Sequence, residues 1–344
     1  MDPLFEELLS LLRCSLNKQQ PKETHLTYEQ WEKIYWLARA HGLVAMVNDA
    51  IEMLPEDQKP TGNIALSWIL SAERTQFHFQ HQSEVLASIQ QKAREHGIQL
   101  VIIKGMSLAR FYPKPNSRSC GDIDIYFPGY YKFGNQLLGS PEAEVDGKHA
   151  EMKVDGVVVE NHLHFLDQHY ISQRRAERYI KSTLKDTTPE GYLSSMGNLV
   201  YLLMHTVCHL TAKDKLPLRN VIDWGMFMKA NHDDLDPTEC HRVMKHVGMN
   251  DAFNMFTLLA GEFIGYDLSA YLKGENIIQD DVVRMRELIT SKKYMPPVPK
   301  GLSPIQWLKV RYSRNRQRRW LYRYLPSTAV ERVTNNIIRL FYKG

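Results

Sequence analysis

The sequence predicts an α+β protein in which a small mixed β-sheet core is flanked by N-terminal and C-terminal helical regions. Three observations carry that expectation. The apolar period changes from helical spacing to short β-branched runs near residue 98, and returns to helical spacing near residue 169. Segment 101–127 joins an apolar strand ending in Lys104-Gly105 to a second strand bearing two aspartates one residue apart. Asp155-Gly156 then separates two alternating runs, a strong short-range hairpin signal. The chain accordingly divides into an N-terminal helical region 1–97, an α/β core 98–168 and a C-terminal helical domain 169–344.

The elements follow in order. Leu4, Phe5, Leu8, Leu9, Leu11 and Leu12 recur at helical spacing. Thr27 with Glu29 and Gln30 is a capping start for a helix through Ala40. Residues 63–96 contain no glycine or proline and read as one long helix, closed by Gly97 as a C′ glycine. Trp31, Trp36 and Trp68 lie on these helices and read as core. Residues 99–103 form a short buried strand, 105–112 a helix and 122–127 a second strand. A Tyr-, Gly- and Pro-containing connection leads to hairpin strands 149–154 and 157–165. On the latter, Val158, Glu160, His162 and His164 share one face, and Val157, Val159, Asn161, Leu163 and Phe165 the other. Helices are expected at 195–212, 218–230, 237–245, 251–264, 307–324 and 327–342, with Ser327 as the last N-cap.

Composition sets modest limits. A chain of 344 residues favours two units over one core, and 43% hydrophobic with 24% charged residues is ordinary for a globular protein. A net charge of +4 does not by itself call for nucleic acid. Cys14, Cys120, Cys208 and Cys240 are scattered, which argues against a zinc ribbon or disulfide framework and fits a reducing cytoplasm. The N-terminus is acidic ahead of its apolar run, unlike a signal peptide, and no apolar stretch approaches the roughly 20 residues of a membrane helix. A cytoplasmic protein without membrane partners is expected.

The chemistry concentrates at the Asp-x-Asp strand. Residues i and i+2 of a strand point to one face, so Asp122 and Asp124 project side by side while Ile123 and Ile125 enter the core. Adjacent carboxylates repel unless a cation lies between them, and Mg²⁺ suits such an oxygen cage. Two solvated residues on an edge strand would be the bland account; Lys104-Gly105 and Arg118 nearby favour the metal site.

Lys104-Gly105, Arg118, Asp122-Ile123-Asp124, then Glu160 with His162 two places on, resemble the polymerase-β-type nucleotidyltransferase superfamily. More narrowly, Lys-Gly-x-x-Leu and Arg-x-x-x-Asp-Ile-Asp resemble an uncharacterised bacterial nucleotidyltransferase family, over roughly residues 98–230. Met106 follows Gly105 where the superfamily carries Gly-Ser or Gly-Gly, so Ser107 comes one place late. The resemblance implies catalytic and metal-ligating roles for Asp122, Asp124 and Glu160, with two Mg²⁺ ions (or Mn²⁺), and Glu160 as general base. It implies nucleotide binding by Lys104, Gly105, Ser107 and Arg118, with Gly105 opening a helix onto a triphosphate and the two cations offsetting phosphate charge. His162, His205, His209, Arg219 and Asp223 are candidate pocket residues. Of these, Arg219 and Asp223, at i and i+4, also read as a structural ion pair, and His205 and His209 as packing residues.

The expected activity is transfer of NMP from an NTP, ATP first among them, to a hydroxyl or phosphate of a small-molecule or protein acceptor. A non-catalytic nucleotide-binding or antitoxin-like interaction module is the alternative. An RNA-directed enzyme using the basic run 309–324 ranks last, and a charged outer helix face accounts for that run more simply. Lys213, Asp214 and Lys215 read as a solvated loop.

Overall fold

In the N-terminal region each helix begins and ends where its capping residues dictate. Asp2 accepts from the Leu4 N–H and opens α1 (Pro3–Asn17). Thr27 and Gln30 close a reciprocal capping box on α2 (Tyr28–His41), and α3 (Val44–Ile51) follows. The long helix is α4 (Gly62–Glu95), after which Gly97 takes φ +65°. This computed structural model describes residues 2–325 of the chain except 146, 169, 214–215, 273–276, 291–300 and 318.

The core then alternates β1 (Val101–Ile103), α5 (Lys104–Ala109), β2 (Ile123–Tyr126), α6 (Tyr131–Leu137), β3 (His149–Val154) and β4 (Val157–His162). Strand order is β1-β2-β4-β3. The β2/β4 pair is parallel and the two outer pairs antiparallel, so the sheet is mixed, as the sequence suggests. Asp155 (φ 48°) and Gly156 (φ 82°) both take the left-handed conformation that a two-residue hairpin turn needs. Parallel pairing sets Asp124 opposite Glu160, while antiparallel pairing sets Ile103 opposite Asp124 and His149 opposite His162.

Beyond the sheet lie α7 (Ile171–Ser182), α8 (Ser195–Lys213), α9 (Leu218–Ala230), α10 (Pro237–Val247), α11 (Asn250–Ile264), α12 (Gln279–Thr290) and α13 (Pro304–Gln317). Ile123, Ile125, Val157 and Val159 pack with Val85, Leu86 and Ile89 of α4 on one side of the sheet. Val101, Ile103 and Tyr126 join a larger core on the other side, which holds Phe5 and Leu8 of α1 together with Phe253 and Phe263 of α11. The N- and C-terminal helices thus share one apolar interior. No described helix is long and apolar enough to cross a membrane.

Several expectations need correcting. α5 ends at Ala109, short of residue 112, and Tyr112 instead donates its hydroxyl to Asp223 at 2.6 Å. The connection after β2 contains α6, whose Gly134 packs so closely on Phe127 that a Cβ would lie 2.3 Å from its ring. α3 is only eight residues long and nearly all of it is buried, so the sequence reading passes over it. β4 stops at His162, and Phe165 turns into the larger core, its ring 4.3 Å from that of Tyr126. Trp31 and Trp68 are core, but Trp36 is 49% exposed. The expected helix 307–324 is α13 followed by a 3-10 turn, Arg319–Tyr324. Arg323 there binds Asp251 at 2.7 Å, and Tyr324 donates to Asp281 at 3.0 Å, which commits these two residues of the basic run to intramolecular contacts. Helix 327–342, its Ser327 cap, Asp214 and Lys215 lie outside the described residues.

Candidate active site

Strand register brings the carboxylates together. Asp124 lies within β2, Asp122 immediately before it, and Glu160 on the parallel neighbour β4. One ligand oxygen from each falls within 4.8 Å of the others. Ile123 and Ile125, between and beyond the aspartates, are fully buried, as the period-two argument requires.

Cationic and imidazole groups fill the space around this trio. Lys104, in the left-handed conformation at the β1–α5 junction (φ 52°), sends its Nζ to Asp124 Oδ1 and, at 3.3 Å, to Glu160 Oε2. Burial opposes charge on Lys104, but Asp124, Tyr201 and Glu160 outweigh it and hold the ammonium well above its usual range. His162, with no exposed surface, sets Nε2 2.9 Å from Asp124 Oδ1 and 3.2 Å from Glu160 Oε2. Burial works against the Glu160 charge, yet the His162 contact and Lys104 hold its carboxyl below the usual range. Asp122 has weaker support, from Lys104 and a backbone hydrogen bond, and it is outweighed. Burial first, then Asp124 and Glu160, push its carboxyl up to about 6.

A cleft of about 570 Å³ opens over the carboxylates. Lys148, Arg219, His205, Leu108 and Leu202 contribute to its walls, with Gly105 and Gly121 among its lining. A Cβ at Gly105 would make only ordinary contacts of 3.5–3.7 Å, and one at Gly121 none, so packing does not demand glycine at either position. What the missing side chains leave open is the cleft.

The remaining expected site residues divide. Arg118 lines the cleft, but its guanidinium is buried in a bidentate pair with Asp223 (Nε–Oδ1 2.8 Å, Nη2–Oδ2 2.7 Å). This corrects the ion pair expected between Arg219 and Asp223. Arg219 instead donates Nη1 to the Ser119 carbonyl at 3.0 Å, and its Nε is buried without a partner among the described residues. Ser107 is 3% exposed, donates to the Lys104 carbonyl at 2.9 Å and does not line the cleft. His205 lines the cleft and stacks on Tyr201 with ring centroids 6.0 Å apart. The His209 side chain lies outside the described set. His164 departs from the site and faces Glu177 at 3.6 Å.

Sequence reasoning missed Lys148, His149 and Tyr201. His149 Nε2 lies 3.4 Å from Glu160 Oε1, and burial pushes its imidazole pKa down. The signal was present: a turn at 155–156 pairs residue 149 with residue 162.

The donor set suits a hard divalent cation. Three carboxylates converge, and Asp124 Oδ2 is buried with no hydrogen-bond partner among the described residues. A family described as uncharacterised nucleotidyltransferase has a model that matches residues 27–265, from just before α2 to the end of α11. Neither a curated protein nor a solved structure matches the chain. Because the match takes in the carboxylates, the lysine beside them and both walls of the cleft, over more than half of the sequence, the chain belongs to that nucleotidyltransferase family.

Proposed function

We propose that the protein transfers NMP from an NTP, ATP being the expected donor, to a hydroxyl or phosphate of a small-molecule or protein acceptor, releasing pyrophosphate. One observation carries this reading: three carboxylates share a cleft floor with one Asp124 oxygen buried and unpartnered. Asp122, Asp124 and Glu160 would hold Mg²⁺, two ions by analogy with the polymerase-β-type enzymes, with Mn²⁺ as substitute. The bound cation supplies charge neutralisation at the transferring phosphorus and acidifies the attacking hydroxyl.

The chain's own residues do the rest. Lys104 and His162 together fix the Asp124 and Glu160 carboxylates, both meeting Asp124 Oδ1 and Glu160 Oε2. Glu160, 12% exposed and with Oε1 outside the lysine contact, is the group assigned to take the acceptor's proton. Lys148 and Arg219 supply positive charge on the walls, and Gly105 and Gly121 leave room for phosphate oxygens near the backbone. Segment 98–168 is proposed as the catalytic unit, with the helical regions shaping the acceptor side.

A second reading has its own support. Lys104 already satisfies two of the carboxylates with an internal cation, as a nucleotide-binding or antitoxin-like module without chemistry would require. The two part in an assay with α-labelled NTP, Mg²⁺ and a small-molecule extract. The transferase reading expects labelled product and pyrophosphate from wild type, and a turnover loss of about 10²–10⁴-fold in Glu160→Gln with nucleotide binding kept. Metal-dependent nucleotide binding without product from any of the four NTPs supports the second reading.

A further inference from the structure

A second cavity of about 390 Å³ lies between α2 and α4 and adjoins the catalytic cleft, Ser119 lining both. Arg39 and Arg74 line it, and among the described residues no carboxylate does. Among the described residues neither arginine has an ion-pair partner; Arg39 lies over the Trp36 ring at 5.1 Å. Arg219 stands at the junction. It lines the catalytic cleft and donates to the Ser119 carbonyl, and its Nη1 is 2.9 Å from where a side chain at Gly42, on the second cavity, would begin. Its buried Nε has no hydrogen-bond partner among the described residues. Two guanidiniums thus line the second cavity with no carboxylate among its described lining residues, and a third stands between it and the carboxylate-floored cleft. Unpaired arginines in such a setting suit a planar or tetrahedral oxyanion, which they bind by paired N–H donors. The same two helices also bring Leu70 and the Tyr35–Ser71 hydroxyl pair, 2.9 Å apart, to the lining, where they are available to an organic skeleton.

We infer that this cavity is the acceptor subsite and that the acceptor is a small molecule carrying a phosphate or comparable dianion, held by Arg39 and Arg74 with Arg219 at the passage to the carboxylates. The inference rests on the transferase reading for the word acceptor, and on the cavity alone for the anion.

Inorganic phosphate is the probe. It is titrated calorimetrically into the full chain at low ionic strength, with and without Mg²⁺ and a non-hydrolysable ATP analogue. Wild type is expected to take up phosphate saturably with the analogue bound, and Arg39→Gln/Arg74→Gln to bind it about tenfold more weakly or worse. Both arginines are exposed, so the double variant should fold. A charge-matched control on α7, Arg175→Gln/Arg178→Gln, should bind phosphate as wild type does. Undiminished binding in the Arg39/Arg74 variant, or no saturable uptake by wild type, overturns the subsite. Displacement of phosphate by the nucleotide analogue also overturns it, because the arginines then serve the nucleotide's own phosphates. Failure of all four NTPs to bind in the presence of Mg²⁺, with arginine-dependent phosphate uptake intact, upholds the anion site and removes the transferase reading.

Discussion

Asp122 holds its proton to about pH 6, against an ordinary carboxyl value of 3.8. Between those values the folded chain binds a proton that the unfolded chain has released, so stability falls as pH rises through the window. Metal-free protein should therefore become less stable from about pH 4 to about pH 6 through this group, and Asp122→Asn should flatten the slope. Thermal denaturation in chelator across that range checks it; an unchanged slope in the variant assigns the dependence elsewhere. Gly105 makes a complementary test. Its absent side chain is not required by packing, so Gly105→Ala should leave stability within about 0.5 kcal/mol of wild type. Nucleotide affinity should nevertheless drop about tenfold as the methyl group enters the cleft. A stable variant with full affinity would show that the nucleotide does not pass over this position.

Between elements, the strongest polar tie is the Arg118–Asp223 pair, which fastens the segment before β2 to α9, with Tyr112 donating to the same carboxylate. Both partners are about 5% exposed, so Asp223→Ala would strand a buried guanidinium and should cost about 3–5 kcal/mol, read as a lower denaturant midpoint. A loss below about 1 kcal/mol would mean the guanidinium finds water or another acceptor. This pair also marks where the sequence stops being legible. Arg118 and Asp223 are 105 residues apart, and no periodicity reports such a contact; the helical i, i+4 rule points instead to Arg219. The carboxylates were readable because a period of two fixes which face each one takes, and the Asp155-Gly156 turn fixes the hairpin register. That same turn made His149 deducible opposite His162. α3 and α6 were not readable, one being buried almost all round and the other short and broken by glycine.

Across the whole molecule, the apolar interior links α1 to α11. Leu8 of α1 is fully buried in the cluster that contains Phe253 and Phe263 of α11, and α1 is tied to α11 again through Asn17, which donates to the Ile264 carbonyl at 2.7 Å. Leu8→Ala should cost about 2–5 kcal/mol and lower the unfolding midpoint of the C-terminal helices together with that of the N-terminal ones. Separate transitions, with only the N-terminal signal shifted, would mean the two regions fold independently. The shared core matters for the site because α8 and α9 line the cleft over the carboxylates, and α2 lines the cavity that meets this cleft at Ser119. The central claim is that these carboxylates bind a nucleotide through a divalent cation. Calorimetric titration with each of the four NTPs, with and without Mg²⁺, on wild type and Asp124→Asn, tests it most directly. The account predicts binding of at least one NTP by wild type only when Mg²⁺ is present, and its loss in the variant. Binding indifferent to Mg²⁺ or to the substitution, or no binding of any NTP, would contradict it.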